Sequence, residues 1–193
     1  MSIELAGFAD PVLDAQRTFR VLLDAMASPG RIGRVAATFE PPAPLARATA
    51  AVLLALLDPD TPLWLAPRLA ASRDWLIFHT GIAEVAEIHR AAFAAATELP
   101  DLRLLNAGTD AGPEESATLV LQLASLRAPA APAWRLSGPG IAGSSHLAAA
   151  GLPEDFAARW AVNRGLFPRG IDLVLCAGDE MLALPRTVEI TEL

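Results

Sequence analysis

The chain has 193 residues, 53% of them hydrophobic, a formal net charge of -7 and a pI near 4.9. This length predicts one domain over residues 1–193, and the acidic balance argues against binding to nucleic acid or to an anionic membrane surface, because both rely on Lys and Arg. All 15 basic residues are arginine, which excludes a Schiff base to pyridoxal phosphate (PLP) and a phosphate-binding loop that ends in Gly-Lys-Ser/Thr.

The first 57 residues predict two helices with a strand between them. Asp10 is a good helix cap and Pro11 suits the first helical position. Residues 31–36 alternate polar with apolar or small side chains and predict a strand, whereas residues 45–57 are apolar almost all round and predict a buried helix. The first helix carries one apolar stripe at helical spacing, formed by Ala15, Phe19, Leu22, Leu23 and Met26.

Short elements follow through the middle of the chain. After a turn over residues 58–62 we expect a short central strand over residues 63–66 and a helical turn that ends at Ser72. Residues 75–78 predict another strand, which ends at His79. Residues 82–97 leave two interpretations open: a helix, from alanine propensity, or a short helix followed by a strand near residues 92–94.

The second half of the chain predicts hairpins. Residues 167–176 and residues 181–187 are two short apolar strands joined by a Gly178-Asp179 turn, so the hairpin brings Arg169 and Asp172 close to Arg186 and Thr187. Strands interleaved with helices and hairpins predict an α/β sandwich with a mixed central sheet. The other predicted elements are a short helix over 100–105, a loop over 106–113, a strand over 117–123, a turn over 128–132, its hairpin partner over 134–137 and a helix over 154–164.

Residues 138–143 fit the pattern G-x-G-x-x-G, in which Gly138 and Gly140 follow a predicted strand. A dinucleotide site also requires a helix that begins at the glycines, and the segment 144–146 is a possible start for one. A turn that needs positive φ explains these glycines better. The backbone amides of such a turn remain candidates for holding a phosphate group.

Few side chains are candidates for chemistry. His79 is the strongest of the three histidines, because it ends a predicted strand beside a Thr-Gly turn, and no histidine has metal-ligand spacing, so we expect no metal. Arg169, Asp172 and Arg186 form either an anion-binding cluster or a structural ion pair that fixes the hairpin, and we favour the ion pair. Cys176, the single cysteine, is predicted to be a small buried hydrophobe.

Sequence signals of export or membrane insertion are weak. The apolar run over residues 45–57 is shorter than the roughly 20 residues that span a bilayer. Residues 1–5 lack the basic start and cleavage site of a signal peptide. The chain is therefore expected to be cytoplasmic.

A series of short segments, in a fixed order along nearly the whole chain, carries a family resemblance. These segments are 14–20 with Met26 and 28–30, 60–65, 78–80, 108–114, 116–119, 136–141, 167–173 and 184–187. Together they resemble the PhnH family, which belongs to the bacterial carbon–phosphorus lyase system for phosphonate use.

This resemblance implies both a fold and a setting. The implied fold is an α/β three-layer sandwich with a mixed central sheet, similar to the large domain of PLP-dependent transferases but without PLP or another cofactor. The implied setting is a core complex with subunits G, I and J, which with an ATP-binding partner converts ATP and methylphosphonate into a ribose phosphonate triphosphate. The resemblance supplies no catalytic residues for this chain.

Two functions follow from these observations. The first is a structural or accessory subunit of the core complex that also forms a homodimer when isolated, because its composition is unusually apolar. The alternative is a stand-alone α/β protein that binds a phosphate or nucleotide ligand through Arg169, Arg186 and the Gly138–Gly143 turn.

Overall fold

The structure is a computed structural model, and it describes residues 5–128 and 133–193. The helices are α1 (Pro11–Ala27), α2 (Arg47–Leu56), α3 (Arg73–Thr80) and α4 (Phe156–Arg164), and short 3₁₀ helices cover Pro67–Ser72, Ile88–Arg90, Leu102–Leu104 and Pro113–Glu115. The strands are β1 (Gly33–Arg34), β2 (Leu63–Leu65), β3 (Phe93–Ala96), β4 (Thr118–Gln122), β5 (Trp134–Ser137), β6 (Ser145–Leu147), β7 (Asp172–Ala177), β8 (Glu180–Leu184) and β9 (Glu189–Glu192).

A mixed sheet of six strands forms the centre of the molecule, in the order β1-β8-β7-β4-β3-β2. The strands β2, β3, β4 and β7 run parallel to one another. Strand β8 pairs antiparallel with β7, and β1 pairs antiparallel with β8. The predicted α/β class with a mixed sheet is therefore confirmed. The β7–β8 hairpin around Gly178 is confirmed as well, with Leu173 opposite Leu184.

The two faces of this sheet are covered by different layers. Side chains alternate across β4, so that Leu119 and Leu121 face one cluster and Val120 faces the other. One cluster is built with α1, α2 and α3, and the other with α4 and a smaller sheet in the order β6-β5-β9. Among the described residues, no helix combines the length and the apolar character needed to cross a lipid bilayer.

The predicted start of α1 is confirmed, but its apolar stripe is partly wrong. The side chain of Asp10 accepts a hydrogen bond from Leu13 N at 3.0 Å and thereby caps the helix. Leu22 is buried as expected, whereas Phe19 is 50% and Leu23 is 55% exposed. The smaller side chains of Thr18 and Ala25 share the buried face with Leu22, because α1 packs closely on α2 and β8.

The strand predicted over residues 75–78 is wrong, because these residues form part of α3. Trp75 and Leu76 are fully buried, and Gly81 ends the helix in the left-handed region at φ 71°. The β propensity of Trp, Ile and Phe is thus overridden by the packing of this segment against α2. The alternative of a short helix and a strand within residues 82–97 is confirmed by Ile88–Arg90 and β3.

Two pairing predictions are wrong. The strand over residues 63–66 is expected to be central, but β2 ends the order of the six-stranded sheet. Residues 134–137 form β5 as a strand, yet β5 pairs with β6 and β9 rather than with the strand before it. The predicted turn over residues 128–132 lies mostly outside the described residues.

Candidate functional site

The β7–β8 hairpin brings Arg186 and Asp172 together, as its sequence predicts. Asp172 Oδ1 accepts hydrogen bonds from Arg186 N at 2.8 Å and from Arg186 Nε at 3.2 Å, and Asp172 Oδ2 lies 2.6 Å from Arg186 Nη2. The two side chains are 15% and 18% exposed. This is a bidentate arginine–carboxylate ion pair that is mostly buried. The two parallel hydrogen bonds fix the orientation of the guanidinium relative to the carboxylate.

The remaining donors of Arg186 also have acceptors. Nη2 donates to Ser116 Oγ at 2.6 Å, and Nη1 donates to the carbonyl oxygen of Pro113 at 2.7 Å and lies 3.5 Å from that of Pro168. An arginine side chain has five N–H donors, so little capacity remains for an anion. The geometry favours the structural ion pair over an anion site here.

Arg169 does not join this cluster through any hydrogen bond or ion pair in the described part of the chain. Its Nε instead lies 3.0 Å from Asp110 Oδ1, and the Asp110 side chain is 85% exposed. Asp110 belongs to the predicted loop before β4, so this contact ties that loop to the start of the hairpin. Arg169 Nε is itself enclosed, but its partner Asp110 is open to solvent, so the ion pair contributes little to stability.

The position of the Arg186–Asp172 pair in the sheet also bears on its role. Asp172 begins β7 and lies opposite Thr118, which begins the parallel strand β4. The pair therefore lies at the amino edge of the parallel strands. Ligands of open α/β sheets bind beyond the carboxyl ends of the strands, at the opposite edge.

The Gly138–Gly143 turn packs against the end of α1 and leads into a strand. Gly138, Gly140 and Gly143 have φ values of 126°, 81° and 78°, and a Cβ at Gly140 would lie 2.3 Å from the carbonyl oxygen of Ala27. The helix considered for residues 144–146 is absent, because β6 begins at Ser145. The turn therefore lacks the helix of a dinucleotide site, and positive φ together with close approach explains its glycines.

His79 lies in the last turn of α3 rather than at the end of a strand. Its Nε2 is 3.1 Å from the carbonyl oxygen of Leu5, which also accepts a hydrogen bond from Trp75 Nε1 at 2.9 Å. The imidazole packs edge-on against the rings of Trp75 and Phe78, at centroid distances of 4.8 and 5.0 Å. In this position His79 anchors the segment that precedes α1.

The other candidates fall in the core or remain dispersed. Cys176 is fully buried, and burial raises the pKa of its thiol to about 12, a shift that its contact with the Thr49 hydroxyl only partly opposes. A protonated, enclosed thiol is a poor nucleophile. Over residues 5–128 and 133–193, no three His, Cys, Asp or Glu side chains gather as a metal site would require.

Sequence reasoning missed an apolar surface on α1. Val12, Phe19 and Leu23 lie on one face of the helix, at spacings of seven and four residues, and their side chains are 77%, 50% and 55% exposed. The signal in the sequence that could have revealed this surface is a second set of apolar positions beside those that are buried. The single stripe predicted from the sequence combines the buried and the exposed sets. Three exposed apolar side chains on one helix face make this surface a candidate for an interaction.

Comparison with known proteins identifies relatives along nearly the whole chain. A family model described as bacterial phosphonate metabolism protein (PhnH) matches residues 6–191. The chain is 44% identical, over 95% of its length and 94% of the relative, to the PhnH component of alpha-D-ribose 1-methylphosphonate 5-triphosphate synthase from Rhizobium meliloti. It is 32% identical, over 91% of its length and 85% of the relative, to HtxG from Stutzerimonas stutzeri, which is named as a putative C-P lyase subunit protein.

Proposed function

We propose that this chain, which belongs to the PhnH family of bacterial phosphonate metabolism proteins, is a component of the complex that makes alpha-D-ribose 1-methylphosphonate 5-triphosphate. The observation that carries this proposal is the 44% identity to a relative named as such a component, over 95% of the chain. In this complex, ATP and methylphosphonate are the substrates, and the pathway leads to cleavage of the carbon–phosphorus bond. The protein acts in the cytoplasm.

The proposed role of the chain is structural or accessory rather than catalytic. The side chains that the sequence singled out are engaged in holding the fold: Arg186 in a saturated ion pair, His79 in an anchor, and Cys176 in the core. The fold is proposed to be a three-layer sandwich akin to the large domain of PLP-dependent transferases. A chain without lysine has no residue to hold PLP as a Schiff base, which agrees with a non-catalytic descendant of that fold.

The partners are proposed to be subunits G, I and J of the same system, with a homodimer when the chain is alone. The exposed face of α1 supports this proposal, since Val12, Phe19 and Leu23 leave an apolar strip in water. Arg20 is exposed beside it. Phenylalanine and arginine are both enriched at protein interfaces, and the core of an interface is more apolar than the rest of the surface.

Co-expression with subunits G, I and J tests the proposal. The double variant Phe19→Asp/Leu23→Asp places two carboxylates in the strip. Loss of a hot-spot contact costs about 2 kcal/mol or more, so we expect the variant to drop out of the purified complex. The matched control is Val162→Asp, at a residue of α4 that is 54% exposed, and it should co-purify normally. Circular dichroism verifies that both variants fold.

Two results would contradict the proposal at different levels. If the wild-type chain fails to co-purify with any of the three partners, membership of the complex is wrong. If the double variant still co-purifies in full, another surface makes the contact. Light scattering of the isolated chain at micromolar concentration tests the homodimer separately, and a wild-type monomer would exclude it.

A further inference from the structure

The order of the strands places a crevice at the carboxyl ends of β2 and β3. The chain that leaves β2 passes onto the face of α1 to α3 and returns beside the outer side of β2, where Leu63 N donates to the carbonyl oxygen of Ala83 at 3.0 Å. The chain that leaves β3 passes onto the opposite face, where Leu99 and Leu102 join the cluster of the smaller sheet. Neighbouring parallel strands whose connections leave on opposite faces form a switch point, and such crevices are where α/β sheets bind ligands.

A cavity of about 350 Å³ lies at this switch point. Its volume is within the range of small-molecule sites, which runs from roughly 300 to 1,000 Å³. The polar and aromatic groups come from both sides: Trp64 and Arg68 from the β2 side, and Thr97 and Glu98 from the β3 side.

The neighbouring part of the same edge, at the ends of β4 and β7, contacts α2. The side-chain amide of Gln122, at the end of β4, accepts from Ala46 N at 2.7 Å and donates to the carbonyl oxygen of Pro44 at 2.8 Å. The carbonyl oxygen of Gly178, just after β7, accepts from Ala48 N at 2.8 Å. The first turn of α2 thus covers the ends of β4 and β7, and the crevice lies beyond it, at β2 and β3.

The charges at the mouth indicate which ligand fits. Arg68 Nη2 lies 2.9 Å from Glu98 Oε1, and the two side chains are 74% and 72% exposed. An ion pair this exposed contributes little stability, so its members can take new partners at low cost. Together they present one donor group and one acceptor group with no net charge, which suits a neutral ring edge better than a phosphate.

The wall of the crevice supplies a stacking surface. Trp64 is partly buried against the cluster of the smaller sheet, and an indole binds flat aromatic rings by offset or edge contacts. The hydroxyl of Thr97 adds a further donor and acceptor. We propose that this crevice binds an uncharged, planar heteroaromatic base of nucleobase or nucleoside size, a role beyond the proposed place of the chain in a complex.

Tryptophan fluorescence of the full chain gives a direct test. The other tryptophans, Trp75, Trp134 and Trp160, are at most 1% exposed, so Trp64 is the one that a ligand can reach from solvent. Titration with adenine, adenosine or cytidine should quench the emission saturably with a Kd below about 1 mM. Trp64→Phe should abolish the quenching.

Calorimetry with variants assigns the binding to the crevice. Arg68→Gln/Glu98→Gln should weaken adenosine binding at least about tenfold, because a hydrogen bond to a charged group contributes about one factor of ten or more. The control Glu87→Gln/Arg90→Gln removes another exposed arginine–glutamate pair, with 66% exposure of Arg90 and 54% exposure of Glu87, and should bind as the wild type does. Thermal melting verifies that the variants remain folded.

Three results would overturn the inference. The first is the absence of saturable binding by any of the bases. The second is equal affinity in the wild type and in the Arg68→Gln/Glu98→Gln variant. The third is that inorganic phosphate, methylphosphonate or ribose competes with the base when present at the same concentration. Such competition would show that the crevice recognises an anion or a sugar instead of the heteroaromatic ring.

Discussion

Replacing Arg186 by glutamine tests whether the most defined polar cluster of the protein holds the fold or serves a ligand. Glutamine keeps the aliphatic stem and a polar amide, but it is shorter than arginine and removes the charge and most of the donors. The variant Arg186→Gln therefore leaves Asp172 as a mostly buried carboxylate without its cation. It also leaves Ser116 Oγ and the carbonyl oxygen of Pro113 without the guanidinium that bonds them.

The expected loss follows from the burial of the pair. Removing one member of a fully buried ion pair costs about 3–5 kcal/mol, and an exposed pair contributes about 0–1 kcal/mol. Arg186 and Asp172 are 15% and 18% exposed, which places this pair near the lower end of the buried range. We expect Arg186→Gln to lower the free energy of unfolding by about 3 kcal/mol. For a chain of this length the melting temperature should fall by roughly 6–12 °C.

Urea unfolding followed by tryptophan fluorescence measures this loss, with circular dichroism as a second probe of two-state behaviour. The matched control is Arg159→Gln, whose partner Asp155 lies 2.9 Å away on the surface of α4 with 42% and 56% exposure of the two side chains. That variant should lose no more than about 0.5 kcal/mol. A loss below about 1 kcal/mol in Arg186→Gln would refute the structural interpretation.

Three further variants test other parts of the structure. Gly140→Ala should lower the free energy of unfolding by at least about 3 kcal/mol, because its Cβ would lie 2.3 Å from a carbonyl oxygen. Gly143→Ala, also at positive φ but with open space around it, should lower it by only about 1 kcal/mol. Urea unfolding compares the two variants, and equal losses would contradict the argument from close approach. Burial raises the pKa of the Cys176 thiol to about 12, so a thiol reagent at pH 8 should label it only in denaturant. The stability that this raised pKa contributes is complete below the unfolded pKa of about 8.5 and is lost as the pH rises towards the folded value. Cys176→Ala should therefore flatten the fall in unfolding free energy at alkaline pH. An unchanged pH profile would contradict this expectation. His79→Ala should expose the segment around Leu5 to limited proteolysis while the melting temperature changes little, and wild-type cleavage rates would show that the anchor is dispensable.

Local signals predict the parts of the fold that local interactions determine. The Asp10-Pro11 start of α1 needs only a capping carboxylate and a proline, and both act within one turn. The β7–β8 hairpin needs only two apolar strands around Gly178, and its register then brings Asp172 beside Arg186.

The errors concern interactions between distant segments. Residues 134–137 form a strand, but their partners β6 and β9 both follow in sequence, and nothing local selects β9 over β4. Residues 75–78 have strand propensity, yet the burial of Trp75 in the helical layer decides their conformation. The sequence does not separate the two apolar faces of α1, because a stripe pattern does not show which face meets the core.

The amino and carboxyl edges of the sheet have different roles. Only the polar cluster at the amino edge could be predicted from sequence motifs. At the amino edge, Arg186 and Asp172 belong to segments that carry the family resemblance, and their contacts close the sheet by using nearly every donor of the guanidinium. At the carboxyl edge, Trp64 and Thr97 belong to no recognised chemical motif, and they come together because β2 and β3 are neighbours whose connections diverge. A site that depends on strand order has no sequence signal of its own. For this reason the polar cluster could be predicted from the sequence, whereas the crevice could be found only from the order of the strands.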